Sequence, residues 1–288
     1  MQAINNPIDV RDDPLISVII PTYNRSWCLK EAIDSVSSQT YKQYELIVVD
    51  DGSTDDTKKL LSQCNGISVI RQTNQGVSTA RNRGIAASRG GLIAFLDSDD
   101  LWLPDKLAVQ AAFFDQNPEA MICQTQEIWI RNGKQLNPKN RHRKASGYFF
   151  ERSLELCLVS PSAVMIKRRL FDEVGYFDEH LPACEDYDLW LRIGAHWPIF
   201  LIDDSLVVKR GGHADQLSSA PGLDQYRIQS ILKLLENGGL SREQQSAATD
   251  MLLKKCHIVA AGCRKRGKIE EMQYYLDLSH KYSDSLQL

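Results

Sequence analysis

The 288-residue sequence predicts an α/β fold: a mostly parallel sheet flanked by helices, with a small helical appendage at the C-terminal end. Three observations predict it. From Pro14 to about Ser98, short apolar runs alternate with helix-period stretches, the pattern of βαβ units. Those runs are apolar on both faces, as strands covered by helices on both sides are. After about Ala220 the strand signal stops and only helical segments remain.

The elements follow in order. Residues 15–20 form a strand stopped by Pro21, after which Leu29, Ala32, Ile33 and Val36 recur at helical spacing. Residues 46–49 are a second strand, 50–53 a turn and 54–64 a helix; 67–70 are a third strand. Residues 77–88 read as a helix ending at Gly90 and Gly91, and 92–96 as the fourth strand. Pro104 stands where a helix can begin, with Leu107, Ala111 and Phe114 on one face. Strands are expected at 121–125, 128–130 and 163–166, a turn at Asn132-Gly133, an exposed basic loop over 137–144 and a helix over 185–193. Trp102 and Trp129 read as core aromatics. Beyond Ala220, 224–236, 241–265 and 268–281 read as helices, and Ser241 with Gln244 fits a capping box. The expected division is a polar tail over 1–14, an α/β domain over 15–220 and a helical region over 221–288.

Composition narrows the function. With 34 basic and 37 acidic side chains the net charge is −3, which excludes the basic footprint of a general nucleic-acid binder. No run approaches the ~20 apolar residues of a membrane span, and the polar start carries no signal-peptide core. Cysteines 28, 64, 123, 157, 184, 256 and 263 are scattered, with no Cys-x-x-Cys, so reduced thiols in a cytoplasmic protein are expected rather than disulfides or a zinc ribbon. Lys254, Lys255, Arg264, Lys265, Arg266 and Lys268 form a basic cluster. A solvated helix face is the favoured reading; peripheral contact with the anionic inner face of the cytoplasmic membrane is the alternative.

In an open α/β sheet, ligands sit beyond the carboxyl ends of the strands. Three polar clusters fall there: Pro21-Thr22-Tyr23-Asn24, Asp50-Asp51, and Asp97-Ser98-Asp99-Asp100. One acidic turn can be a helix cap, but crowded carboxylates repel and call for a cation. Oxygen ligands select Mg²⁺ or Mn²⁺ and leave room for substrate phosphates.

These residues resemble family 2 glycosyltransferases. The resemblance runs through residues 17–24, Glu45 to Asp55, Asn74-Gln75-Gly76, Ala80-Arg81-Asn82 with Gly84, Phe95 to Asp100 and Glu185 to Arg192, in the family's order across about 15–215. It implies a GT-A fold, a Rossmann-like mostly parallel sheet, and inverting transfer of a sugar from a nucleoside diphosphate, most simply UDP, to an acceptor hydroxyl. It implies that Pro21, Thr22, Tyr23, Asn24, Asp51, Arg81, Asp97, Ser98 and Asp99 bind the nucleotide sugar, and that Asp186 is the general base. Glu185 and Trp190 would stand on the acceptor side, Trp190 as a platform for a sugar ring. Asp99, Asp100 and His213 would serve the metal, Mn²⁺ or Mg²⁺, with the choice between the two aspartates left open. No Gln-x-x-Arg-Trp follows Asp186, which points to a non-processive enzyme of cell-surface polysaccharide assembly, acting on a glycan or a lipid-linked sugar. The competing readings fare less well. A sugar nucleotidyltransferase wants a glycine-rich phosphate loop that Pro21 to Arg25 lacks; a non-catalytic binding module would not need the intact carboxylates; a phosphoacceptor domain is too short for this chain.

Overall fold

The computed structural model describes residues 14–137, 139–213, 216 and 221–284. The tail expected over 1–14 lies outside them save for Pro14, as does the expected junction at Ala220. Among the described residues nine strands form one sheet, flanked by helices. β1 (Ile16–Thr22), β2 (Tyr44–Asp50), β3 (Ser68–Arg71) and β4 (Leu92–Phe95) run parallel, in the order β3-β2-β1-β4. Every side chain of β1 is buried, the polar Ser17 and Thr22 included. Between them lie α1 (Leu29–Ser37), α2 (Thr57–Leu61) and α3 (Val77–Ala87). α3 lies hard against β1 because Gly84 has no side chain: a Cβ there would meet Ile19 Cγ2 at 2.4 Å.

Beyond β4 the sheet becomes mixed. β5 (Leu101–Trp102) leads to α4 (Lys106–Gln116), and β6 (Ile122–Arg131) to the short β7 (Lys134–Leu136). α5 (Phe150–Glu155) precedes β8 (Val164–Lys167), and α6 (Arg169–Val174) and α7 (Glu185–Gly194) precede β9 (Phe200–Gly211). β8 pairs antiparallel with both β4 and β6, while β9 runs parallel to β6. The two strands expected at 121–125 and 128–130 are one. The polar Gln126 and Glu127 that suggested a break instead mark a bulge, where the register with β9 slips. α2 is shorter than the helix expected over 54–64, because Asn24 and Asp55 hold residues 54–57 as a turn: Asn24 Oδ1 accepts from the N–H of Thr54 at 2.7 Å, and Asp55 Oδ1 from that of Thr57 at 3.0 Å.

The C-terminal helices are α8 (Leu223–Asn237), α9 (Arg242–Lys265) and α10 (Ile269–Asp284). The capping box expected at Ser241 and Gln244 is formed. Ile228, Ile231, Leu252 and Cys256 pack on Phe150 and Leu154 of α5 and on Tyr187 and Leu191 of α7, so these helices share a core with the walls of the site. One basic residue changes its reading. Lys255 is buried and donates to Asp224 Oδ1 and to the Glu155 carbonyl, both at 3.0 Å, so only the other five of its cluster face solvent. The seven cysteines are unbridged, and among the described residues no helix is long and apolar enough to cross a membrane.

Candidate active site

A cavity of about 640 Å³ opens at the carboxyl ends of β1, β2 and β4. Pro21, Thr22, Tyr23, Asn24, Asp51, Arg81, Asp97, Ser98, Asp99, Asp100, Glu185, Asp186 and His213 all line it. Three strand ends, a helix start and the segment after β9 thus bring these residues to one space. Trp190 is the exception. It is 2% exposed, meets Phe177 edge-on at 6.3 Å and sits in the core with Leu189 and Ile193. It lies one turn beyond Asp186, where α7 has already entered the core, so no platform for a sugar ring exists there.

At the first two strand ends the chain builds a tight polar loop system. Asp51 accepts from Gln72 Nε2 (2.7 Å) and from the backbone N–H groups of Gln75 and Gly76 (both 2.9 Å). A carboxylate offers about four acceptor positions, so one remains for a ligand. Gly52 is required beside it: φ is +81° and a Cβ would stand 2.8 Å from the Asn74 nitrogen. Asn24, at φ +52°, fastens the first loop to the second through Ser53 and Thr54. Thr22 Oγ1 is buried without a partner among the described residues.

The acidic segment after β4 divides into unlike parts. Asp100 is spent on structure: Oδ2 accepts from Ser162 Oγ at 2.7 Å and Oδ1 from the backbone N–H of Arg210 at 2.9 Å. The Asp97 N–H donates to the same Ser162 Oγ at 3.1 Å. Asp99 turns the other way, its Oδ2 lying 2.6 Å from His213 Nε2. Burial and the neighbouring Asp97 carboxylate push the Asp99 pKa up; burial and Asp99 push that of Asp100 well up. Part of the crowding is relieved by protein cations that sequence reading underrated. Burial works against the charge on Lys209, but Glu127, Asp100, Asp97 and Asp186 outweigh it and raise its pKa. Arg81, expected to face the nucleotide, is buried with its guanidinium committed elsewhere. Nη2 donates to Asp97 at 2.7 Å and Nη1 to Glu185 at 2.6 Å.

Among the described residues no cluster of three His, Cys, Asp or Glu side chains could enclose a metal. The Asp99–His213 pair therefore fits a divalent ion only as two of its ligands, with phosphate oxygens and water supplying the rest, which is how Mg²⁺ and Mn²⁺ are commonly held beside phosphates.

On the far wall, Cys184 takes φ +63° and turns the chain into α7. Asp186 follows in the first turn, its Oδ1 accepting from the Tyr187 N–H at 2.7 Å and its Oδ2 from Cys157 Sγ at 3.5 Å. Cys157 and Ser162 were not singled out by sequence reading: each is remote in sequence from the residue it supports, and nothing local marks it.

Residues 17–175 match the family described as "Glycosyl transferase family 2". An "Uncharacterized glycosyltransferase" of Rickettsia felis is 38% identical over 205 residues, 68% of this chain and 33% of that protein, so the chain spans about a third of this relative. The Escherichia coli "UDP-Glc:alpha-D-GlcNAc-diphosphoundecaprenol beta-1,3-glucosyltransferase WfgD" is 32% identical, covering 63% of this chain and 70% of that one. Among solved structures, S. aureus TarS 1-349 in complex with UDP-GlcNAc superposes with a TM-score of 0.66 at 19% identity, over 94% of this chain and 92% of that one. A Pyrobaculum calidifontis mannosyltransferase, PcManGT, in complex with GDP-Man and Mn²⁺ superposes at 0.60 and 17% identity, over 97% and 88%. These likenesses establish the GT-A fold.

Proposed function

The chain belongs to glycosyl transferase family 2, and from that premise we propose that it moves a single sugar from a UDP-sugar to an acceptor hydroxyl with inversion. The observation that carries the proposal is the shared cavity: Thr22 and Asp51 line one part, Asp99 and His213 another, and Asp186 a third. Thr22 and the remaining acceptor position of Asp51 would take the base. Asp97 holds the Arg81 bridge and, with Ser98, would face the ribose and diphosphate. Asp99 and His213 would hold Mn²⁺ or Mg²⁺, which when bound neutralises charge developing on the leaving diphosphate. Asp186 takes the proton of the acceptor hydroxyl as its oxygen bonds to the anomeric carbon, while the carbon–oxygen bond to the diphosphate breaks on the opposite face and UDP leaves. The buried carboxylate of Glu185 positions Arg81.

The 31% identical Bacillus subtilis "Putative teichuronic acid biosynthesis glycosyltransferase TuaG" supports a place in polysaccharide assembly, and the acceptor in the name of WfgD supports a lipid-linked sugar. Such an acceptor would be met at the cytoplasmic membrane face, where the five exposed basic residues around α9 and α10 could rest on anionic lipid. Calorimetry with UDP, GDP and CDP, each with and without MnCl₂, tests the donor assignment. UDP should bind, and bind more tightly with metal. If no nucleoside diphosphate binds with metal present, the transferase reading fails.

A further inference from the structure

The cavity has a cationic wall that comes from the C-terminal helices rather than from the sheet. Leu223 and Arg227, in the opening turns of α8, line it together with Cys184, Asp186 and Tyr187. α8 is fastened to the turn bearing Asp186, since Cys184 Sγ donates to the Leu223 carbonyl at 3.8 Å and the Arg227 guanidinium lies 5.9 Å from the centre of the Tyr187 ring. The donor-side groups lie across the Arg81 bridge, which joins Asp97 to Glu185. Arg227 therefore stands on the Asp186 side.

Its bonding is incomplete. Nη1 donates to Asp224 Oδ1 at 3.0 Å, and the same oxygen accepts from Lys255 Nζ at 3.0 Å, so one carboxylate answers two cations. Arg227 Nε is buried and has no partner among the described residues. A guanidinium carries five N–H donors in a planar fork suited to oxyanions, and this one, lining the cavity, makes one hydrogen bond among the described residues. We propose that Arg227 recognises an oxyanion on the acceptor, a phosphate or a sugar carboxylate close to the hydroxyl that is glycosylated. The proposal rests on the transferase reading above and adds to it the charge class of the acceptor. It also gives α8, which lies beyond the residues 17–175 matched by the family, a role in choosing the acceptor. The plainer alternative, a strut joining α8 to Tyr187, predicts lost stability but no ligand selectivity.

The test is calorimetry on the full chain saturated with UDP and MnCl₂, which keeps phosphate probes out of the donor site. Three probes share one ring configuration and one tail: hexyl glucosyl diphosphate, hexyl glucuronide and hexyl glucoside. At least one anionic probe should bind tenfold or more tightly than the neutral glucoside, and which one does so separates phosphate from carboxylate. Arg227→Gln should erase that preference while leaving UDP affinity unchanged. Arg227→Lys, which keeps charge but not the fork, should retain part of it. If Arg227→Gln does not fold, as judged by its melting curve, Arg227→Lys carries the test and should weaken the preference at least threefold. Equal binding of the three probes, binding of none, or a preference that survives substitution overturns the proposal. Failure of the wild type to bind UDP is seen before any probe is added and overturns the UDP-donor reading instead.

Discussion

The thiol of Cys157 stands within reach of two acceptors, the Val159 carbonyl at 3.0 Å and the Asp186 carboxylate, Sγ to Oδ2 at 3.5 Å. Burial, and then the Asp186 charge, push the thiol pKa well above its ordinary value, so at neutral pH the group stays protonated and stays a donor. The Tyr187 N–H holds the other oxygen of Asp186, while the thiol proton is shared between Asp186 and the Val159 carbonyl. A sulfur donor at this distance contributes about 0.5–1 kcal/mol. Cys157→Ala should therefore lower kcat by about two- to fivefold with the donor KM unchanged, and Cys157→Ser should recover most of the loss. In the folded protein Cys157 should resist iodoacetamide at pH 7.5, read by peptide mass spectrometry; rapid labelling there would contradict the protonated assignment.

Asp186→Asn keeps size and polarity and removes the basic oxygen. Turnover should fall by ~10²–10⁴, with UDP affinity and melting temperature nearly unchanged. Near-normal transfer by this variant would remove Asp186 from the mechanism. Unfolding would instead mark it as a helix-start residue with no chemical role.

The Arg81 bridge makes a prediction about stability. Replacing it by Met strands two carboxylates, Asp97 and the buried Glu185, around an apolar side chain. Removing one partner of a buried ion pair costs about 3–5 kcal/mol, which urea unfolding would measure. Arg81→Lys should recover little, because an ammonium lacks the planar fork that spans both partners. Arg81→Met with Glu185→Leu should recover a substantial part, since it removes the more deeply buried of the stranded charges.

The unlike roles of Asp99 and Asp100 are separable by metal. Asp99→Asn and His213→Ala should each cut the Mn²⁺-dependent gain in UDP affinity by roughly tenfold or more, leaving metal-free UDP binding as it is. EDTA should bring the wild type to the same level. Equal Mn²⁺ dependence in wild type and His213→Ala would show that the imidazole serves only as a partner for Asp99.

Much of this site was legible in the sequence because strand ends are local. An apolar run followed at once by Asp97 to Asp100 announces both the strand and what stands at its end, and the helix period places Asp186 in a first turn. What stayed hidden is set by long-range packing. Whether Asp99 or Asp100 faces outward depends on Ser162 and the Arg210 N–H, 62 and 110 residues from Asp100. Trp190 shares a helix with Asp186, and only the packing of α7 on the sheet shows that it enters the core. Arg81 reads as a free cation until its two carboxylate partners are found 16 and 104 residues away.

Lys106 supplies a pH dependence that the reaction does not use. It is fully buried on α4, its Nζ 2.6 Å from Gln110 Oε1, 3.5 Å from the Val164 carbonyl and 3.9 Å from the centre of the Trp102 ring. Among the described residues, Cys123 and Lys144 are the titratable groups that act on it, and no carboxylate does. Burial lowers its pKa from 10.5 to about 7, with the charge of Lys144 working in the same direction and Cys123 against it. The folded state therefore binds fewer protons than the unfolded state between about pH 7 and 10.5, and across that window stability rises with pH. The contribution is fully present above the unfolded value and is lost as pH falls through the folded one. Lys106→Met is close in volume and has no proton to bind, so it should lose this dependence. Its stability relative to wild type should be most favourable near pH 6 and should decline by a few kcal/mol toward pH 10, at no more than roughly 1.4 kcal/mol per pH unit. A constant offset from the lost Gln110 bond cancels in that comparison. Urea unfolding of both proteins at pH 6, 8 and 10 decides the matter: parallel stability curves would mean that Lys106 keeps its proton in the core.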